Sequence, residues 1–194
     1  MTLLLKNQSS KYLLIFILGA ISSFSLPPYG LFFLNFFSYP FLLFILLFHS
    51  GNKFTSFNIG WIFGFGYFIT NLYWIINSLT FEDIFKPLIP FALILVPLFL
   101  SLFYGLSTLI FSLFNSKKNF LSILILATSL SSMEYIRGNI FGGFPWNLIA
   151  FSFVDYLSFI QILSIIGTYT FNLIIIFLFL LPTILFFGYK NNTK

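Results

Sequence analysis

The sequence predicts an all-α protein, a polytopic membrane helix bundle of about six transmembrane helices with an interfacial loop on its outer face. Three observations carry that prediction. Of the 194 residues, 59% are apolar and 7% charged, whereas a soluble domain carries roughly 25% charge. The mean hydropathy is +1.04. The few charges also sit in short clusters, separated by apolar stretches on the scale of the roughly 20 residues that cross a bilayer. Disorder is excluded, because disordered chains are apolar-poor and charge-rich. A soluble nucleic-acid binder is excluded as well, since the net charge of +5 never gathers into one basic patch. Cysteine is absent, so these residues hold no disulfide, thiolate ligand or cysteine nucleophile. Phe occurs 32 times. With Ala and Val scarce and Asn and Lys common, that excess reads as A/T-rich coding bias at lipid-facing positions, ahead of an aromatic ligand cage.

Six apolar segments lie between the charges, near 12–26, 31–48, 57–79, 88–114, 119–136 and 158–187, and together they make a single transmembrane domain over 1–194. Pro27, Pro28 and Gly30 separate the first two, because paired prolines remove backbone donors and glycine supplies turn freedom. Lys6 and Lys11 ahead of 12–26 also resemble a signal peptide. Pro27 and Pro28 crowd the cleavage region, so an uncut first helix is the reading adopted. In the fourth segment Pro87 and Pro90 suit a helix start, and Pro97 predicts a kink.

The third segment carries Gly60, Gly64, Tyr67, Asn71, Trp74 and Ser78 at alternating spacings of four and three, one continuous stripe on a helix. Gly60 and Gly64 read as a close helix seam. Asn71 and Trp74 read either as part of that seam or as site residues near the outer face. In the sixth segment Gln161, Ser164, Thr168 and Asn172 fall on one face, expected to turn into the bundle for interhelical hydrogen bonding.

Glu134 and Arg137 stand three apart at the end of the fifth segment, where they can pair and reduce each other's desolvation cost. After them, Gly142 and Gly143 free the backbone, Pro145 ends any helix, and Phe144 and Trp146 suit the headgroup level. This predicts an interfacial or re-entrant loop beside a charged pair. Basic residues set the orientation. With the N-terminus inside, the inner segments hold Lys6, Lys11, Lys53, Lys117, Lys118, Lys190 and Lys194, and the outer ones Lys86 and Arg137. Both termini are therefore expected in the cytoplasm. His49, the lone histidine, reads as a solvated loop residue near the inner surface.

Glu134, Arg137 and Gly138, followed by Gly143, Phe144, Pro145, Trp146 and Asn147, resemble the Glu-x-x-Arg-Gly and Gly-Phe-Pro-Trp segment of bacterial apolipoprotein N-acyltransferases. The break at Ser25–Gly30, the run from Gly60 to Tyr67, the stretch from Asn71 to Ile75, Asp155, and the Gly167 to Asn172 stretch are similar in the same order. The resemblance covers nearly the whole chain. It implies a bacterial inner-membrane protein of lipoprotein maturation, in a family that moves an acyl chain from a phospholipid to the amino group of a diacylglyceryl-cysteine lipoprotein. It also implies that chemistry belongs to a nitrilase-like domain with a Glu-Lys-Cys triad, which follows the membrane helices.

That domain has no counterpart in these residues, which end at Lys194 and contain no cysteine. The expectation is the membrane portion of such an enzyme, inactive alone, with its catalytic half separately encoded or lost from a decaying gene. No residue here is assigned a catalytic role, and no cofactor, metal or nucleic acid is expected. Asn71, Trp74, Glu134, Arg137, Gly143, Phe144, Pro145 and Trp146 are the residues expected to shape a site for phospholipid and lipoprotein, with Arg137 fixing the loop or meeting a phosphate. The competing expectation is a small six-span lipid or solute transporter, with the polar faces of the third and sixth segments as its pathway.

Overall fold

The computed structural model describes residues 8–49, 52–114, 119–140 and 143–187. Lys6, Lys117, Lys118, Lys190 and Lys194, on which much of the expected orientation rests, lie outside the described residues, as does Gly142. Six principal helices follow one another: α1 (Gln8–Ser23), α2 (Asn35–Phe48), α3 (Lys53–Asn71), α4 (Ile89–Phe114), α5 (Asn119–Asn139) and α6 (Thr168–Leu180). Among the described residues no strand forms. Four helical stretches are long and apolar enough to cross a membrane: Lys53–Leu79, Asp83–Phe114, Phe120–Asn139 and Thr168–Leu185. Helices α1 and α2, with 16 and 14 residues, are shorter.

Local sequence explains most helix boundaries. Helix α1 stops at Ser23, ahead of Pro27 and Pro28, whose shared peptide bond is cis, and Gly30 turns the chain at φ 64°. A 3-10 turn at Phe32–Leu34 then leads into α2. The Asn52 side chain caps α3, accepting the Thr55 N–H at 3.1 Å, as short polar side chains do at helix starts. Helix α3 ends at Asn71, passes through a 3-10 turn at Leu72–Ile75 and finishes in the short helix Ile76–Leu79. Pro97 lies inside α4, and the Trp61 indole N–H donates to the neighbouring Leu98 carbonyl at 3.1 Å.

The segment expected as one helix over 158–187 is instead broken. Short helices at Leu157–Ile160 and Leu163–Ile166 precede Gly167, whose φ of 80° turns the chain before α6 begins. That left-handed conformation is open to glycine and resets the helix axis. The polar face expected there is consequently divided. Gln161 and Ser164 are exposed, while Asn172 is wholly buried.

The helices close into a ring in the spatial order α1, α3, α4, α5, α6, α2, with α2 returning to α1. Helix α3 is gripped on two sides. Toward α4, a Cβ placed on Gly64 would lie 2.8 Å from the Tyr104 Cβ, so the Gly60 and Gly64 seam read from the sequence is a true backbone approach. Toward α1, a Cβ on Gly19 would lie 2.9 Å from the Phe63 carbonyl carbon. Small residues are what allow helices to meet this closely without a hydrophobic drive in lipid. An aromatic column fills the ring, with Tyr39 against Phe63 at 5.7 Å, Tyr67 against Tyr104 at 5.8 Å and Phe153 against Phe179 at 5.9 Å. These are the separations at which ring pairs attract.

Candidate functional site

Glu134 and Arg137 leave α5 on its inward face, each only 1% exposed. Their spacing predicts an ion pair, and the structure corrects that: among the described residues the two form none. Each instead bonds different partners. The Glu134 carboxyl accepts the Tyr104 hydroxyl from α4 at 2.9 Å and an N–H of the Asn172 side chain from α6. Arg137 instead turns toward the chain that follows its own helix, where Nη1 donates to the Trp146 carbonyl at 2.9 Å. Its guanidinium carbon lies 5.2 Å from the Phe68 ring and 5.9 Å from the Phe144 ring. Its Nε and Nη2 are enclosed, with no hydrogen-bond partner among the described residues. The charge-assisted bond to the Trp146 carbonyl and the two aromatic faces reduce the cost of burying the guanidinium.

The segment after α5 is built on these anchors. Gly143, at φ 79°, donates its N–H to the Ile140 carbonyl at 2.9 Å, and the Phe144 N–H returns to the Arg137 carbonyl at 3.1 Å. A Cβ on Gly143 would come within 2.6 Å of the Gly138 carbonyl oxygen, so glycine is required there for both conformation and space. Phe144 is half-buried, while Pro145 and Trp146 are exposed. Asn147 follows at φ 61°, the one non-glycine with positive φ among the described residues. Three helices hold successive parts of this wall: Arg137 the Trp146 carbonyl, Tyr67 of α3 the Asn147 carbonyl at 2.8 Å, and Asn172 of α6 the Ala150 N–H at 2.9 Å.

The held segment faces α3 across a groove of about 550 Å³, lined by Leu26, Pro27, Asn71, Trp74, Trp146, Asn147, Phe151 and Val154. That volume lies in the roughly 300–1,000 Å³ range of small-molecule sites. Trp74 and Trp146 meet edge to face across it, with centroids 6.2 Å apart. Deeper in, the Asn147 side-chain amide donates to the Asn71 side-chain oxygen, and the Asn71 amide donates to the Ser23 carbonyl at 3.3 Å. The groove walls thus come from the α1–α2 turn, the end of α3 and the segment after α5.

Of the residues expected at a site, Asn71, Trp74 and Trp146 line the groove, and Gly143, Phe144 and Pro145 form the turn behind it. Glu134 and Arg137 sit beneath, reaching the groove through other residues. Sequence reading gave no site role to Asn147, which it met only in the family motif, and it missed Leu26, Tyr104, Phe68, Phe151 and Val154. None of the missed residues carries a local signal, since each is one apolar or aromatic residue among many. His49 is half-buried, with Nδ1 2.9 Å from the Ile45 carbonyl oxygen. Among the described residues no three His, Asp or Glu side chains gather as metal ligands would.

Apolar helices closed around buried polar anchors, with an aromatic-rimmed groove at one end, define a multi-pass membrane domain. Residues 18–181 match the family model described as the apolipoprotein N-acyltransferase N-terminal domain. The chain is 35% identical over 185 residues to the apolipoprotein N-acyltransferase of Allorhizobium ampelinum, covering 91% of this chain and 34% of that protein. To the enzyme of the same name from Brucella suis it is 32% identical, over 92% of this chain and 35% of the relative. For that of Rhodopseudomonas palustris the identity is 32%, over 91% and 34%. The chain belongs to the apolipoprotein N-acyltransferase N-terminal domain family, and it spans about a third of the length of these curated relatives.

Proposed function

We propose that this membrane domain gathers phospholipid and lipoprotein at the outer leaflet of a bacterial inner membrane, for acyl transfer carried out by a nitrilase-like catalytic portion. The groove is the observation that supports this most directly. It is apolar, sized for part of an amphiphile, and rimmed by Trp74 and Trp146, residues suited to headgroup depth. Arg137 acts on the loop from beneath, and Glu134 ties α4 to α6 so that the wall keeps its shape. Both termini face the cytoplasm in this reading, all six helices cross or enter the bilayer, and the groove opens outward. The basic residues named from the sequence support that orientation.

The domain supplies binding and orientation, while the nucleophile comes from the catalytic portion, because these 194 residues hold no cysteine. The test is co-expression of this chain with a separately encoded nitrilase-like partner in a strain depleted of its own N-acyltransferase. Restored lipoprotein N-acylation, lost when Trp74 and Trp146 are both changed to Ala, is expected. Acyl transfer by the purified chain with no added partner would overturn the division of labour.

A further inference from the structure

The groove has one polar station in an otherwise apolar lining. Asn71 and Asn147 are its only amide side chains, and none of the described residues that line it is charged. Each carboxamide has two N–H donors, and the hydrogen bonds described above use one on each. One donor on each amide therefore has no partner among the described residues.

Arg137 offers no cationic donor to the groove. Arg137 spends Nη1 on the Trp146 carbonyl, and its Nε and Nη2 are sealed from the surface beneath the loop. We propose that the Asn71 and Asn147 pair recognises a neutral carbonyl, the ester of a glycerolipid acyl chain lying in the groove. In this assignment the headgroup charge is not read. The inference rests on the lipid-gathering role proposed above and names what that site selects.

The backbone explains why Asn147 can do this. Tyr67 holds its carbonyl at 2.8 Å while Arg137 holds that of Trp146 at 2.9 Å. Between these two fixed points the residue takes φ 61°, a left-handed conformation to which Asn is better suited than most residues. The side chain is thereby presented to Asn71 by three buried anchors, counting Asn172 at Ala150. Preorganisation of this kind lowers the ordering cost of binding. Arg137 is a positioning residue in this scheme, acting on the ligand through Asn147.

The test is a competition assay on the purified full chain in detergent. Trp61 is replaced by Phe, so that Trp74 and Trp146 are the remaining indoles. The probe is a diester phosphatidylethanolamine brominated on its acyl chains, which quenches nearby tryptophan. Competitors are the unbrominated diester, its diether analogue and diester phosphatidylglycerol. The diether should compete about thirtyfold more weakly than the diester, the ratio carried by two neutral hydrogen bonds, and the anionic phosphatidylglycerol should equal the diester phosphatidylethanolamine. Asn147→Gly, which tolerates the positive φ, and Asn71→Ala should each remove most of the diester's advantage over the diether, with the variants still folded and monodisperse in the same detergent. Equal competition by diether and diester, or a preference for the anionic lipid, overturns the ester assignment while leaving a lipid groove in place. No quenching by the probe overturns the groove as a lipid site, and the inference with it.

Discussion

Replacing Glu134 tests the buried anchor system most directly. In Glu134→Ala the Tyr104 hydroxyl and the Asn172 amide both lose their acceptor inside a ring where Tyr104 is 1% exposed and Asn172 is wholly buried. An orphaned buried donor costs about 1–3 kcal/mol, so two together predict a loss of about 2–6 kcal/mol. Glu134→Gln keeps one acceptor oxygen and turns an NH2 toward the second donor. Asn172 cannot simply flip to accept it, because its oxygen already holds the Ala150 N–H. One donor is then orphaned, and the expected loss halves to about 1–3 kcal/mol. Adding Tyr104→Phe to Glu134→Gln removes a donor and should recover most of that loss, an interaction energy that a double-mutant cycle isolates. The assay is equilibrium unfolding of the purified chain in mixed micelles with increasing SDS. Glu134→Ala within about 0.5 kcal/mol of the parent, the range of an ordinary surface change, would refute the reasoning.

Gly64→Leu should separate α3 from α4, because even a Cβ there lies 2.8 Å from the Tyr104 Cβ and 3.1 Å from the Ser101 Cα. A loss of monodisperse protein on size-exclusion chromatography is the expected outcome. Arg137→Met frees the Trp146 carbonyl and unpins the loop, so acrylamide should quench Trp146 more strongly than in the parent, with Arg137→Lys falling between the two. The absence of cysteine makes orientation directly measurable in intact spheroplasts. Asp83→Cys should react with a membrane-impermeant maleimide, and Asn52→Cys should react only after the membrane is broken. The reverse pattern would invert the proposed topology.

How far the sequence could be read depended on whether a feature is local. The helices, the break at Pro27 and Pro28, and the small-residue seam at Gly60 and Gly64 follow from composition, backbone chemistry and spacing within a few residues. The turn at 143–147 was legible for the same reason, since Gly143 and Pro145 act on their own stretch of backbone. Partners across helices were not legible. Glu134 stands 30 residues from Tyr104 and 38 from Asn172, and periodicity within one helix says nothing about which neighbour its inward face will meet. The expected pairing of Glu134 with Arg137 failed on this point. Sharing a helix face makes contact possible, but Glu134 bonds side chains of α4 and α6 while Arg137 bonds the Trp146 carbonyl of the segment that follows. The sixth segment failed differently, because Gly167 takes a left-handed turn that a lone glycine within a helical pattern permits but does not require.

By itself, then, the sequence determined that this protein is helical, belongs in a membrane and sets a Glu and an Arg at the end of the fifth apolar segment. Those properties follow from the cost of exposing apolar side chains to water and unpaired backbone groups to lipid, both written in the order of residues. Only the tertiary structure decided that Arg137 holds a carbonyl from beneath, that Asn147 meets Asn71, and that Trp74 and Trp146 rim one groove. Helix azimuth and ring closure settle those contacts, and they depend on how all six surfaces fit together at once.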